Sequence, residues 1–117
     1  MAKLIINEQI ILNNMKIKKN IFSVAKGLMF SPKQEVKNGV LLKLTGDFNR
    51  KKGATVHTIF CFYSIDILFV NKNGKVVDKT TLKPWTLKYT PREKCRFIIE
   101  SYKNTFNSIP INSKINI

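Results

Sequence analysis

The strongest pattern in the chain is a long apolar stretch that ends in a hairpin signal. Residues 56–70, VHTIFCFYSIDILFV, are apolar at both odd and even positions, which is typical of strands buried on both faces of a sheet. Asn73-Gly74 follows, before another β-branched run, and this dipeptide favours a two-residue hairpin turn in which both residues have positive φ. The sequence therefore predicts central strands at 56–62 and 65–70 and a hairpin into a third strand.

Shorter apolar runs, separated by turn residues, predict several further strands and little helix. Asn13-Asn14 would divide the first of these runs in two, and FSVAKGLM at 22–29 fits one or two helical turns that must pack on a sheet. The remaining predicted strands lie at 3–19, 40–44, 75–82, 95–100 and 111–117. We predict a mainly β fold, a compact antiparallel β-sandwich or barrel-like domain with one or two short helices. A chain of 117 residues is expected to form a single β domain over 1–117.

Lysines recur at alternate positions along the strand predicted at 75–82. Lys75, Lys79 and Lys83 share one parity, whereas the apolar Val76 has the other. Because side chains in a strand point alternately to opposite faces, the three lysines are expected on one solvated, positive face.

The charge of the chain strengthens this picture. Its 21 Lys and Arg against 7 Asp and Glu give a formal charge of +14, which predicts an acidic partner such as nucleic acid or another polyanion. No predicted helix is long enough to lie in a major groove, so such binding should not depend on base sequence. A solvated surface of a highly soluble protein is the alternative. The candidate polyanion-binding residues are Arg50, Lys51 and Lys52 in a polar loop at 45–53, together with Lys75, Lys79 and Lys83.

The two cysteines give no sign of a metal site. Cys61 and Cys95 lie in separate apolar runs, without C-x-x-C spacing and with a single histidine in the chain, so we predict no metal ion and no cofactor. Buried free thiols are expected, since a disulfide would need adjacent strands and an oxidising compartment. The apolar runs near the N-terminus are too short for a secretory signal or a membrane span, and a cytoplasmic location is expected.

Several short motifs occur in the order and spacing of one known family. They are KGLMF at 26–30, GVLL at 39–42, the run from His57 through Phe60 and Phe62 into IDI at 65–67, GKVV at 74–77, LKPW at 82–85 and IE at 99–100. Together they resemble the uncharacterised family named domain of unknown function 192, over roughly residues 15–117. The resemblance implies a compact β-sandwich with a short helix, and it implies no established activity.

Three polar residues in apolar surroundings are the candidate catalytic residues: His57, Asp66 and Glu100. His57 is the only histidine and Asp66 the only acid in the central apolar stretch, so the carboxylate could orient the imidazole for general acid–base chemistry if their strands are neighbours. The alternative for Asp66 is structural, as an acceptor for backbone N–H groups at a turn. Glu100 could join Asp66 as a second carboxylate in a cleft, or it could be solvated or paired with a lysine.

Trp85 and Tyr89 are candidates for lining a pocket or stacking on a ligand, with burial as the default for aromatic rings. The leading hypothesis is a noncatalytic polyanion-binding module. The competing hypothesis is an enzyme or small-ligand-binding protein with a pocket around His57 and Asp66, to which Trp85 and Glu100 would contribute. A third is an assembly partner that pairs through an exposed edge strand. The sequence leaves the oligomeric state open.

Overall fold

The fold is given by a computed structural model, which describes residues 2–20, 27–48, 56–58 and 61–116, with the backbone alone at 45–48. Over these residues the chain forms six strands and one helix. In chain order they are β1 (Ala2–Ile6), β2 (Gln9–Lys18), α1 (Lys33–Asn38), β3 (Val40–Phe48), β4 (Ile65–Val70), β5 (Val76–Leu82) and β6 (Cys95–Tyr102). The predicted mainly β class is confirmed.

The six strands form one mixed sheet in the order β1-β2-β3-β6-β4-β5. β2 runs parallel to β3, and the other neighbouring pairs are antiparallel. β2 is long enough for two partners, since it pairs with β1 between Gln9 and Met15 and with β3 between Lys16 and Lys18. The sheet is therefore not wholly antiparallel, and it does not close into a barrel, because β1 and β5 stand at its two ends.

The sheet is buried on both faces, and the alternation of side chains along β4 divides the core in two. Face 1 is formed by Ile65, Ile67 and Phe69 with Leu28, Val56 and Cys61. Face 2 is formed by Leu68 and Val70 with Leu4, Met15 and Phe106. All six residues of β4 are buried, as predicted for a central strand.

The segment at 56–62 differs from the prediction of a second central strand. Val56 and Tyr89 exchange backbone hydrogen bonds of 2.8 Å in an isolated bridge, residues 59–60 lie outside the described residues, and Phe62 is exposed. The apolar run correctly indicated that Val56 is buried. Periodicity alone does not distinguish a buried strand from a loop that covers the core, and this segment covers face 1.

The hairpin between β4 and β5 is confirmed, with a turn that differs from the two-residue type. Gly74 has a φ of 82° and donates its N–H to the Asn71 carbonyl at 3.0 Å. The Asn71 side chain accepts hydrogen bonds from the N–H groups of Asn73 and Lys75, both at 3.0 Å. The carboxamide of Asn71 therefore organises a longer turn, in which the glycine alone has positive φ.

A β-bulge at Val77 changes the faces that the lysines of β5 occupy. Adjacent residues of β4 pair with Val76 and with Asp78, so Val77 is an extra residue on β5. One extra residue reverses the alternation of the side chains that follow it. Lys75 and Lys79 therefore do not share a face, and the single lysine face predicted for this strand is not formed.

Helix α1 lies between the helix predicted at 22–29 and the strand predicted at 40–44, where the sequence predicted neither a helix nor a strand. The helix predicted at 22–29 falls mostly outside the described residues, and its last three positions, from Gly27, lie in a turn. α1 packs on β6 by burying Val36, and the Ser101 hydroxyl donates to the carbonyls of Val36 and Lys37 at 3.1 and 3.2 Å. So short a helix depends on tertiary contacts of this kind rather than on its own sequence pattern. Within the described part of the chain, no helix is long and apolar enough to cross a membrane.

The first two strands form a hairpin whose turn lies earlier in the chain than predicted. The turn is at Asn7 and Glu8, which have φ of 51° and 64°. Asn13 and Asn14, where the break was expected, lie within β2 and are exposed. Because both stay in contact with solvent, these polar residues do not interrupt the strand.

Residues 112–116, within the strand predicted at 111–117, connect the two ends of the sheet. The N–H of Val76, at the start of β5, donates to the carbonyl of Ser113 at 2.9 Å. Asn116 and Ile5 on β1 exchange backbone hydrogen bonds of 2.9 Å. We call this segment the C-terminal strap, and its bridges hold the last described residues against both β5 and β1.

Candidate functional site

Asp66 is a buried carboxylate whose two oxygens both accept hydrogen bonds. Oδ1 accepts from the Thr81 hydroxyl on β5 at 2.7 Å, and Oδ2 accepts from the backbone N–H of Phe106 at 3.0 Å. Phe106 belongs to the turn after β6, and its ring is buried on face 2. Asp66 thus anchors that turn to the sheet. Both of its carboxylate oxygens accept hydrogen bonds from the fold, as is usual for a buried carboxylate with a structural role.

The other two candidate catalytic residues lie on the face 1 side of the sheet. Glu100 on β6 pairs with Ile67 on β4, and Ile67 packs on face 1. Because side chains alternate along a strand, Asp66 and Glu100 project from opposite faces. His57 follows Val56 in the segment that covers face 1. The sheet therefore separates Asp66 from both other candidates, and the two carboxyl groups do not share a cleft.

Glu100 is the candidate whose acid–base chemistry is most changed by its surroundings. It lies in the middle of the sheet with 5% of its surface exposed. Burial raises the pKa of its carboxyl group to about 7, and the charge of Lys18 partly opposes that rise. Gly27 passes directly beside the carboxyl group, since a Cβ atom on Gly27 would lie 3.0 Å from Oε1. The Lys18 ammonium donates to the Gly27 carbonyl at 2.6 Å. Because the pKa of Glu100 is about 7, this carboxyl group is present in both its charged and its neutral form near neutral pH.

The thiol of Cys61 is unsuited to nucleophilic chemistry. Burial, and secondarily the charge of Glu100, raise the pKa of this thiol to about 11. It stays protonated at neutral pH, whereas a catalytic cysteine needs a lowered pKa. Cys61 and Cys95 are both free and buried, as predicted. Among the described residues, no group of three His, Cys, Asp or Glu side chains is placed to hold a metal ion.

Asp78 is a second buried carboxylate, which the sequence analysis did not single out. Its Oδ2 atom accepts hydrogen bonds from the Tyr89 hydroxyl at 2.8 Å and from the Arg92 backbone N–H at 3.1 Å. Tyr89 and Arg92 belong to residues 83–94, which follow β5 and which we call the edge segment. Alternation along β5 gave no sign that Asp78 is buried, because the bulge at Val77 changes the side to which it points.

Tyr89 packs into the fold through its ring and is held there by its hydroxyl. The ring stacks on Phe69, with 5.7 Å between the ring centroids. Burial, followed by the hydrogen bond to Asp78, raises the pKa of the Tyr89 hydroxyl. Tyr89 thus ties the edge segment to face 1, with its hydroxyl already engaged by Asp78.

Replacing Tyr89 by phenylalanine should lower the free energy of unfolding by about 1.5 kcal/mol, because a hydrogen bond to a buried carboxylate is lost while the ring packing is kept. Urea unfolding measures the change. In an Asp78→Asn background the same replacement should have less than half this effect, since the charge of the acceptor is already gone. Equal effects in both backgrounds would show that the hydroxyl does not act through Asp78.

The predicted polyanion-binding residues divide between described and undescribed parts of the chain. β3 extends into the loop predicted at 45–53, and the rest of that loop, with Arg50, Lys51 and Lys52, lies outside the described residues. Lys75 and Lys83 are exposed. These two lysines are therefore accessible to a ligand. Because of the bulge in β5, however, they do not form the single lysine face that the sequence predicted.

Lys79 has a structural position. Its ammonium donates to the carbonyls of Phe106, Asn107 and Ile109 at 3.3, 3.3 and 2.6 Å. These carbonyls belong to the turn that Asp66 also holds. A charged donor that satisfies several carbonyls at once is engaged in the fold, so Lys79 is the least available of the predicted lysines for an external anion.

A basic depression lies where the edge segment meets the turn between β4 and β5. It is open to solvent and has a volume of about 510 Å³. Its lining residues are Asn71, Lys72, Asn73, Val77, Arg92, Glu93 and Lys94. Three cations and one carboxylate are therefore among the side chains that line this concave surface. The sequence did not reveal it because its two halves are far apart in the chain and are brought together by the fold.

Trp85 is exposed at the start of the edge segment, with 51% of its surface open to solvent. Its backbone N–H donates to the Thr58 carbonyl at 2.9 Å, and the same carbonyl accepts the N–H of Cys61 at 3.0 Å. Phe62, the next residue, is 57% exposed. Two aromatic side chains thus emerge from backbone segments that meet at Thr58.

A comparison with protein-family models assigns the chain to a family. The model of domain of unknown function 192, or DUF192, which is described as "Uncharacterized ACR", matches residues 4–117. The chain belongs to DUF192. The family resemblance predicted from the sequence is thereby confirmed, and the family description carries no activity.

Curated relatives of this DUF192 chain are UPF0127 proteins of archaea. One from Pyrococcus horikoshii is 45% identical over 56 residues, which are 48% of each chain. One from Thermococcus sibiricus is 30% identical over 87 residues, which are 74% of this chain and 53% of the relative. The chain thus matches about half the length of these relatives.

Two solved structures have the same fold as the DUF192 chain. A protein of unknown function from Novosphingobium aromaticivorans superimposes with a TM-score of 0.78 at 15% identity, over 91% of this chain and 75% of that one. A candidate transcription regulator from Sinorhizobium meliloti superimposes with a TM-score of 0.83 at 14% identity, over 97% and 89%. At these identities the likeness extends to the fold alone.

Proposed function

We propose that this DUF192 protein is a noncatalytic binding module for polyanions, with nucleic acid as the ligand class and the phosphate backbone as the recognised group. The observation that carries the proposal is the basic depression, where Lys72, Arg92 and Lys94 line an open concave surface of about 510 Å³. Lysine and arginine side chains bind phosphate oxygens by charge-assisted hydrogen bonds, and asparagine side chains at the same surface add neutral donors.

The positions of the acidic residues support the proposal. Of the 7 Asp and Glu in the chain, Asp66, Asp78 and Glu100 are buried. The carboxylates of Asp66 and Asp78 accept hydrogen bonds from groups of the fold, and the raised pKa of Glu100, about 7, leaves that group only partly charged near neutral pH. The formal net charge of +14 already counts all seven acids, and three of these lie in the interior, so the surface itself is strongly basic and favours attraction of a polyanion from solution.

The single short helix of the described residues favours binding without base recognition. α1 has six residues, whereas reading the major groove by a helix requires several turns to lie along it. Contacts from lysine and arginine to phosphates fix position and supply affinity, but they carry no sequence information. We therefore expect similar affinities for nucleic acids of different sequence.

Fluorescence anisotropy with a labelled mixed-sequence DNA duplex tests the proposal. With three phosphates neutralised at the depression, the affinity should fall about 40-fold between about 50 and 200 mM NaCl, because each contact releases condensed counterions. Absence of binding at the lower salt concentration would overturn the proposal.

The triple variant Lys72→Ala, Arg92→Ala and Lys94→Ala localises the binding. We expect it to make the dependence of log K on log salt shallower by about two to three units, one for each phosphate contact removed.

A matched control removes the same charge elsewhere. The triple variant Lys3→Ala, Lys16→Ala and Lys19→Ala changes exposed residues in and beside the N-terminal hairpin. It should keep most of the wild-type salt dependence. Equal losses in the two triple variants would show that net charge, and not the basic depression, is responsible for binding.

A further inference from the structure

We propose that the edge segment binds single-stranded nucleic acid, with Trp85 as a platform on which an unpaired base stacks. This inference rests on the proposed function. It adds the form of the nucleic acid and the residue that distinguishes that form from a duplex.

The first observation is the exposure of large apolar side chains on the edge segment and on the chain that it contacts. Trp85 is 51% exposed, Phe62 is 57% exposed and Leu87 is 78% exposed. Trp85 and the residue before Phe62 donate their backbone N–H groups to the same carbonyl, that of Thr58. Burial is the default for side chains of this size, so the half-exposed indole of Trp85 is suited to contact with another flat apolar group.

The second observation is that the position of Trp85 is fixed by the fold. Its φ of 65° lies in the left-handed region, which bulky residues rarely adopt. Thr58 holds the chain on both sides of it: the hydroxyl donates to the Lys83 carbonyl at 2.6 Å and accepts from the Thr86 N–H at 2.8 Å. Thr58 itself is buried. The backbone on both sides of the exposed Trp85 is therefore held in place by hydrogen bonds to the buried Thr58.

The third observation is the charge along the same segment. Lys83 and Lys88 are exposed on either side of Trp85 in the chain, and Arg92 and Lys94 continue the series into the basic depression. Proteins that bind single strands combine a positively charged track for the backbone with aromatic rings on which bases stack. The edge segment has both components in one run of chain.

These observations favour a single strand over a duplex and over an anionic membrane. In a duplex the faces of the bases are stacked on each other, so the indole of Trp85 gains nothing beyond the phosphate contacts. A membrane surface would also attract lysines and aromatic rings. The cations of the edge segment, however, follow one another along the chain, which matches a linear array of phosphates better than a plane of head groups.

The intrinsic fluorescence of the protein reports directly on the proposed contact, because Trp85 is the single tryptophan of the chain. Titration with an oligothymidylate of about 15 nucleotides at low salt should quench this fluorescence to saturation. The oligothymidylate should bind more tightly than a duplex of the same length.

Substitutions separate stacking from charge. Trp85→Ala should weaken binding of the oligothymidylate about tenfold, with little change in duplex binding or in the salt dependence. Trp85→Phe keeps a ring on the same backbone and should recover part of the affinity. Phe30→Ala is the matched control, because Phe30 is also exposed (59%) and also has a left-handed φ (58°). It should bind like the wild type, and circular dichroism should show that each variant is folded.

The outcomes distinguish this inference from the proposed function. If Trp85→Ala binds the oligothymidylate as well as the wild type does, or if the duplex binds more tightly, the stacking inference is wrong while polyanion binding stands. If phosphatidylserine vesicles quench the fluorescence and the oligothymidylate does not, the surface is a membrane surface and the inference is again wrong. If neither nucleic acid binds, the proposed function is overturned as well.

Discussion

Replacing Gly39 by alanine should destabilise the protein by about 2 to 6 kcal/mol, because two separate costs add. The first is conformational: Gly39 has φ 82° and ψ 167°, in a region that is essentially restricted to glycine and costs other residues about 1 to 3 kcal/mol. The second is steric: a Cβ atom would lie 2.9 Å from Leu12 Cδ1 and 3.0 Å from the carbonyl oxygen of Glu100. The carbonyl belongs to the backbone of the adjacent strand β6, so relief requires strands to move, at about 1 to 3 kcal/mol.

Gly74 offers a control with the same backbone dihedral. Its φ is also 82°, but a Cβ atom there would meet a single close atom, the carbonyl oxygen of Ile115, at 3.2 Å. Gly74→Ala should therefore cost about 1 to 2 kcal/mol in urea unfolding. A loss for Gly39→Ala no larger than that for Gly74→Ala would mean that the close approach of β2, β3 and β6 does not limit the side chain at position 39.

The wild-type protein should lose about 2 to 3 kcal/mol of stability between pH 5 and pH 8, and Glu100→Gln should remove most of this loss. The pKa of Glu100 is about 7 in the folded protein against an ordinary value of 4.5. Between these values the folded protein holds a proton that the unfolded chain has released. The stabilisation is thus complete below pH 4.5 and declines as the pH rises toward 7, by about 1.4 kcal/mol per pH unit.

Urea unfolding at several pH values measures this dependence, and the comparison with Glu100→Gln subtracts the contributions of other groups. Glu35→Gln is the matched control. The Glu35 side chain is 45% exposed and forms an ion pair with Lys16 at 3.7 Å, so its removal should leave the decline with pH unchanged. If the wild type and Glu100→Gln have parallel profiles, Glu100 is not the group responsible.

The sequence predicts the parts of this fold that depend on local patterns. The apolar run at 65–70 has the composition of a strand covered on both faces, and it is the central strand β4. Asn73-Gly74 places the hairpin correctly because glycine is needed for its positive φ. The bulge at Val77 is different, since it arises from how two strands pair and leaves no mark in the order of apolar and polar residues. The faces predicted from the alternation of residues in β5 are therefore wrong for the residues that follow Val77.

The candidate sites depend still more on tertiary structure. The sequence marks Asp66 as an acid among apolar residues, and the structure supplies its partners, Thr81 and Phe106. Trp85 and Tyr89 look equivalent in the sequence, yet one is half-exposed and the other stacks on Phe69. Their difference follows from the path of the edge segment, which is set by contacts with distant residues. No local pattern contains that information.

The C-terminal strap also sets an order of events during synthesis. Ile5 cannot exchange hydrogen bonds with Asn116 until nearly the whole of this sequence has left the ribosome, and the face 2 core is incomplete until Ile115 arrives. Until then, the apolar side chains of the N-terminal hairpin on face 2, such as Leu4 and Met15, lack part of their cover. Pairing between such distant residues slows folding, and exposed apolar strands in that interval attract chaperones or aggregate. The step in which the strap joins β1 to β5 is thus expected late in folding, after the strands between them have paired.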